Sequence, residues 1–96
     1  MINTKQRAYL RSLAQNITSI FQIGKNGVTD TLINDLNNAL KARELIKITL
    51  LNTIPNEKNE IAKEIANKTS SEFVQLVGNK LTLYKQNVEK PTIELP

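Results

Sequence analysis

The sequence predicts an α/β chain of the α+β two-layer kind, ordered α-β-α-β-α-β-β, with helices packed on a mixed four-stranded sheet. Three observations carry that reading. Apolar residues recur at three- and four-residue spacing in three stretches, which is the period of a helix with one buried face. Between and after them lie short runs rich in β-branched residues, and the last two runs are separated by Gly78-Asn79, a dipeptide suited to a two-residue hairpin turn.

The first helix is expected from an N-cap at Thr4 to about Asn16, with Leu10, Leu13, Ala14 and Ile17 on one face. Lys5 lies away from that stripe, and Arg7 and Arg11 flank it, so their charged heads can reach water or a ligand. Ile20, Phe21 and Ile23 make a first strand that stops at Gly24. A second helix begins at Thr29 or Asp30, with Leu32, Ile33, Leu36 and Leu40 inward, and ends near Arg43, where basic side chains suit the C-terminal dipole.

Leu45–Leu51 alternates Ile46, Ile48 and Leu50 against Leu45, Lys47, Thr49 and Leu51, the period of a second strand. Residues 52–56, with Pro55, form a loop into a third helix whose Glu57 and Glu60 favour its N-terminus and whose Ile61, Ala62, Ile65 and Ala66 form the buried stripe; residues 68–71 close it. Residues 72–77 and 80–85 are the hairpin strands. From Gln86 the chain is polar and carries Pro91 and Pro96, which reads as a weakly held tail, about 86–96, of a single domain spanning 1–96. Right-handed crossovers make the first three strands parallel neighbours or near neighbours, and the hairpin makes the fourth antiparallel.

Composition narrows function. No apolar run approaches the ~20 residues that span a membrane, and the start lacks the apolar core of a signal peptide, so the expectation is a cytoplasmic protein with no membrane partner. The absence of cysteine and histidine removes thiol nucleophiles, thiolate metal sites and the usual general base near neutral pH. No metal or cofactor is expected and no catalytic residue is assigned, because Asp30, Asp35, Glu44 and Lys25 form no paired site at readable spacing. The net charge of +4 attracts polyanions, nucleic acid first among them.

The stretch most suited to such a partner is Gly24-Lys25-Asn26-Gly27. Glycines at both ends permit positive φ and close approach, and Lys25 supplies charge between them. The turn feeds a helix N-terminus, where free N–H groups and the dipole favour an anion. Its amides would hold one or two phosphates, with Lys5, Arg7, Arg11 and Lys47 extending the contact. Any tight strand-to-helix connection also accommodates glycine, so the motif alone is unspecific. Aromatic residues are few. Phe21 and Phe73 read as core, and Tyr84 is either a base-stacking surface or core.

Lys5–Ala14, Ile23–Gly27, Glu44–Lys47, and Val77–Lys80 with Leu83-Tyr84 together resemble the CRM domain, in its free-standing bacterial YhbY form, over nearly the whole chain. That resemblance implies a fold similar to the C-terminal domain of translation initiation factor three. It also implies RNA binding and association with rRNA in precursors of the large ribosomal subunit, as an assembly factor; plant relatives use the domain in organellar intron splicing. By position the family's G-x-x-G loop is Gly24 to Gly27, and its basic first-helix positions are Lys5, Arg7 and Arg11. The chain departs from the family at Gln15, where a histidine is frequent, at Ser19, where a proline is frequent, and at Asn79, where a basic residue stands; Lys80 follows it. A monomer is expected. Two other classes are open: an architectural DNA-binding protein, and a protein-interaction module in ribosome assembly whose basic charge is incidental.

Overall fold

The computed structural model describes residues 2–54 and 57–96, so Pro55 and Asn56 of the expected loop lie outside the described residues. The elements are α1 (Thr4–Ala14), β1 (Phe21–Ile23), α2 (Asp30–Arg43), β2 (Leu45–Leu50), α3 (Lys58–Thr69), β3 (Glu72–Val77) and β4 (Lys80–Tyr84). This is the predicted order.

Boundaries differ where side chains compete for backbone groups. The N-cap of α1 is Asn3 rather than Thr4. Asn3 Oδ1 accepts from the Gln6 amide at 2.8 Å while Gln6 Oε1 accepts from the Asn3 amide at 3.0 Å, a reciprocal pair Thr4 could not form at that spacing. The helix stops at Ala14 instead of Asn16. The amides of Gln15, Asn16 and Ile17 turn to carbonyls three residues back, tightening the last turn and still delivering Ile17 to the apolar side.

Strand order is β1-β2-β4-β3. β1 pairs parallel to β2, and β4 lies between β2 and β3, antiparallel to both. The first three strands therefore run the same way, with β3 a near neighbour separated by β4. At the hairpin positive φ falls on Gly78 and not on Asn79, the pattern of a type II′ turn. A bulge interrupts the β3–β4 register between Phe73 and Gln75.

Alternation along the strands makes two cores. Ile46, Ile48, Leu50, Leu81 and Leu83 face α2 and α3, meeting Leu36, Leu40, Ile61 and Ile65 in the main core. On the opposite face Leu45, Val74 and Tyr84 meet Leu10 of α1 in a smaller one. The two-layer arrangement thus holds for the main core, and α1 adds a partial cover over one end of the other face.

At that end α2 passes into β2 through Glu44 alone, which takes φ 65°. Its buried carboxylate accepts from the amides of Asn87, Thr92 and Ile93, each at 2.7 Å, and from Thr92 Oγ1 at 2.6 Å. Ile93 and Leu95 pack on the smaller core. The segment read from sequence as a weakly held tail carries these contacts, and no signal in residues 86–96 by themselves points to them.

Candidate nucleic-acid interface

Phe21 and Ile23 pack onto the main core, which anchors the chain as far as Gly24. The Gly27 amide then donates to the Gly24 carbonyl at 2.9 Å, closing a four-residue turn with exposed Lys25 and Asn26 at its tip. Among the described residues, the amides of Lys25 and Asn26 bond no protein acceptor.

The two glycines serve different ends. Gly27 is buried at φ 63°, where a Cβ meets the carbonyl oxygen. Gly24 has no positive φ, contrary to the sequence reading; a Cβ there would lie 3.1 Å from Thr53 Oγ1, so the residue is small because a side chain stands next to it.

The N-terminus of α2 contributes less than expected. Thr29 Oγ1 accepts from the Leu32 amide at 3.1 Å, and the carboxylate of Asp30 already complements the dipole in the first turn. Asp35, one turn on, borders the same hollow as the loop. The positive groups of this hollow are therefore the loop amides and the Lys25 ammonium.

Beside the loop lies a second hollow of about 620 Å³ on the part of the sheet that α1 leaves open, bordered by Ser19, Gln22, Lys47, Thr49 and Lys80. Register explains the gathering: Gln22 pairs with Thr49 across β1–β2, and Thr49 with Lys80 across β2–β4, so all three share a face. Lys80 Nζ donates to Thr49 Oγ1 at 2.7 Å, Thr49 Oγ1 to Ser19 Oγ at 2.7 Å, and Ser19 Oγ to the Phe21 carbonyl at 3.1 Å. No carboxylate borders the hollow, and among the described residues the ion pair present is Lys68–Glu64, so neither Lys47 nor Lys80 is paired with an acidic side chain there. Phe21 and Gln22 border both hollows, which places Lys25, Lys47 and Lys80 along one continuous surface.

The α1 residues are not gathered there. The Arg7 guanidinium donates to the carbonyls of Phe73 and, at 3.4 Å, Val74, at the bulge of the edge strand β3. Arg11 is exposed on the same flank of α1, and Lys5 is exposed on its outer side. Tyr84 is 2 % exposed in the smaller core, so no ring face is free to stack on a base. Burial and the nearby Glu44 carboxylate push its phenol above the ordinary value.

Lys25, Lys47 and Lys80 were legible as candidates; Gln22, Thr49 and Ser19 were not singled out. The alternation of Thr49 with Ile48 and Leu50 already put it on the face of Lys47. Ser19 offered no such signal, because it lies outside the strand.

No helix among the described residues is long and apolar enough to cross a membrane, and none of their acidic side chains cluster as a metal site would require. Comparison with known proteins finds relatives over the full length. The chain is 44% identical over 96 residues to “Probable RNA-binding protein YqeI” of Bacillus subtilis, covering 100% of both chains. It is 33% identical over 95 residues to a Haemophilus influenzae protein named “RNA-binding protein”, covering 99% of this chain and 95% of that one. The solution structure of the hypothetical protein SAV1595 from Staphylococcus aureus superposes with a TM-score of 0.84 at 43% identity, covering 100% of each. The model of the CRS1/YhbY (CRM) domain matches residues 2–85, and on that match and these relatives the chain belongs to the CRS1/YhbY (CRM) domain family.

Proposed function

We propose that this protein binds RNA by gripping phosphates with the Gly24–Gly27 loop and the cationic face beside it, and that it serves assembly of the large ribosomal subunit by holding its precursor rRNA. The observation that carries the reading is the turn itself, a tip closed by one backbone hydrogen bond, with two amides unpaired among the described residues and an exposed ammonium between its glycines. Relatives that bear the name RNA-binding protein at 44% and 33% identity support RNA as the polyanion.

Contacts of this kind position a backbone and do not read sequence. With Tyr84 in the core, recognition depends on RNA shape and on the sugar-phosphate chain. The protein acts as a binding monomer in the cytoplasm, without a cofactor or metal and without catalysis. Lys25, Asn26 and the loop glycines make the first contact, Lys47 and Lys80 extend it across the sheet, and Lys5 and Arg11 add field from α1. Arg7 contributes through the field alone, since its guanidinium is engaged with the bulge.

Binding of a structured rRNA fragment in competition with duplex DNA, at fixed salt, tests the polymer. Preference for the fragment is expected; equal affinity would favour the architectural DNA-binding reading. Crosslinking in cells and sequencing of the attached RNA tests the assembly role. Enrichment of large-subunit precursor rRNA is expected, and a scatter of unrelated messenger fragments would overturn it.

A further inference from the structure

The three bonds around Ser19 and Thr49 have only one possible direction. An ammonium can only donate and a carbonyl can only accept. Ser19 must therefore spend its single proton on the Phe21 carbonyl, and Thr49 must spend its own on Ser19 while receiving from Lys80. Both protons are consumed. Each oxygen has one lone pair left, so this edge of the hollow presents acceptors to a ligand, directly beside the remaining N–H donors of Lys80 and Lys47.

A phosphate oxygen can be met by the free N–H donors of Lys47 and Lys80 but not by the hydroxyl oxygens, where it would meet lone pairs of the serine and threonine. The group that fits is one that donates and accepts from the same atom. A ribose 2′-hydroxyl gives its proton to Ser19 Oγ or Thr49 Oγ1 and accepts from a lysine ammonium, and a deoxyribose can do neither.

We propose that this hollow is a ribose-reading subsite, which recognises the 2′-hydroxyl of a nucleotide lying next to the one held by the loop and so makes the protein prefer RNA to DNA of the same sequence. The inference rests on the RNA-binding reading above. Its position supports it: the loop and the hollow share Phe21 and Gln22 as a border, so a chain leaving the loop across β1 arrives at Lys80 and Lys47.

The test is fluorescence anisotropy at fixed salt with an RNA hairpin and the DNA hairpin of the same sequence, for the wild type and for Thr49→Val, Ser19→Ala and Lys80→Ala. One hydrogen bond of ordinary strength gives an expected wild-type preference for RNA of about three- to tenfold. Thr49→Val and Ser19→Ala should remove that preference while leaving affinity for DNA within about twofold of wild type, since neither removes a charge and the Lys80 ammonium that Thr49 accepts from stays in place to meet a phosphate. Lys80→Ala should weaken both ligands together. Thr49 is nearly buried, so should Thr49→Val fail to fold, the half-buried Ser19→Ala variant decides alone. A second readout needs no variant: single 2′-O-methyl substitutions along the RNA should find one position that weakens wild-type binding. Equal wild-type affinity for both hairpins, or Thr49→Val or Ser19→Ala protein that keeps its preference, overturns the subsite and leaves RNA binding standing. Binding to neither hairpin overturns the RNA reading itself.

Discussion

Lys25, Gly27 and Glu44 show how much one position decides. Lys25 is exposed and, among the described residues, forms no side-chain hydrogen bond or ion pair, so Lys25→Glu should leave the melting temperature unchanged. It should lower RNA affinity by at least ~1 kcal/mol, because an attraction to phosphate becomes a repulsion. Wild-type affinity in a titration would contradict the loop's role. Gly27 is buried at φ 63°, and Gly27→Val sets a β-branched side chain there, at a cost of roughly 1–2 kcal/mol or more. Binding should weaken with stability, and a normal urea curve with normal binding would show the conformation to be dispensable.

Glu44 also has positive φ, yet a glycine there would remove the carboxylate that receives four hydrogen bonds from the C-terminal segment. Burial by itself would raise its pKa; the hydroxyl of Thr92 and the amides of Asn87, Ile93 and Thr92 outweigh burial and hold it below the ordinary 4.5. The depressed value means that the folded state favours the ionised form. Its contribution to stability is complete above the ordinary value and is lost as pH falls through the lowered one. An NMR titration should therefore show the Thr92 and Ile93 amides losing their hydrogen-bonded shifts at acid pH, below the range where exposed glutamates titrate. Glu44→Gln should abolish that step and cost on the order of 2–3 kcal/mol at neutral pH, the scale of hydrogen bonds to a charged group.

At the scale of elements, the partial cover of the sheet by α1 organises the molecule. Leu10 and Ala14 are fully buried, while the rest of the helix face is shared between the C-terminal segment on one flank and the bulge of β3 on the other. Arg7 illustrates the consequence. Its position on a helix flank was legible from helical spacing, but the carbonyls that receive it lie on β3, the edge strand, at the bulge between Phe73 and Gln75. The short β1 strand, in turn, leaves Ser19 free to bend under Thr49, and the turn after β1 stops where Gly27 reverses the chain into α2.

At the scale of the whole molecule, Lys25, Lys47 and Lys80 form one surface within a chain of net charge +4. If each meets one phosphate, log affinity should fall against log salt with a slope of about −2 to −3, and each lysine-to-alanine change should flatten it by about one contact's share. A salt-independent affinity would instead support the protein-interaction reading.

Element order, the loop with its lysine, and the buried stripes of Leu10 and Ala14, of Leu36 and Leu40, of Ile46, Ile48 and Leu50, and of Ile61 and Ile65 were legible in the sequence, because periodicity and turn chemistry are local properties written within a few residues; Ile33, expected inward, does not join the core, and the burial of Tyr84 was not decided there. The tertiary structure alone decided that β4 inserts between β2 and β3, which brings Lys80 to Thr49 across 31 positions, and that Glu44 captures a segment 43 to 49 residues away. Such pairings depend on which distant surfaces fit after burial, and a hydrogen bond between remote side chains leaves no period in either stretch.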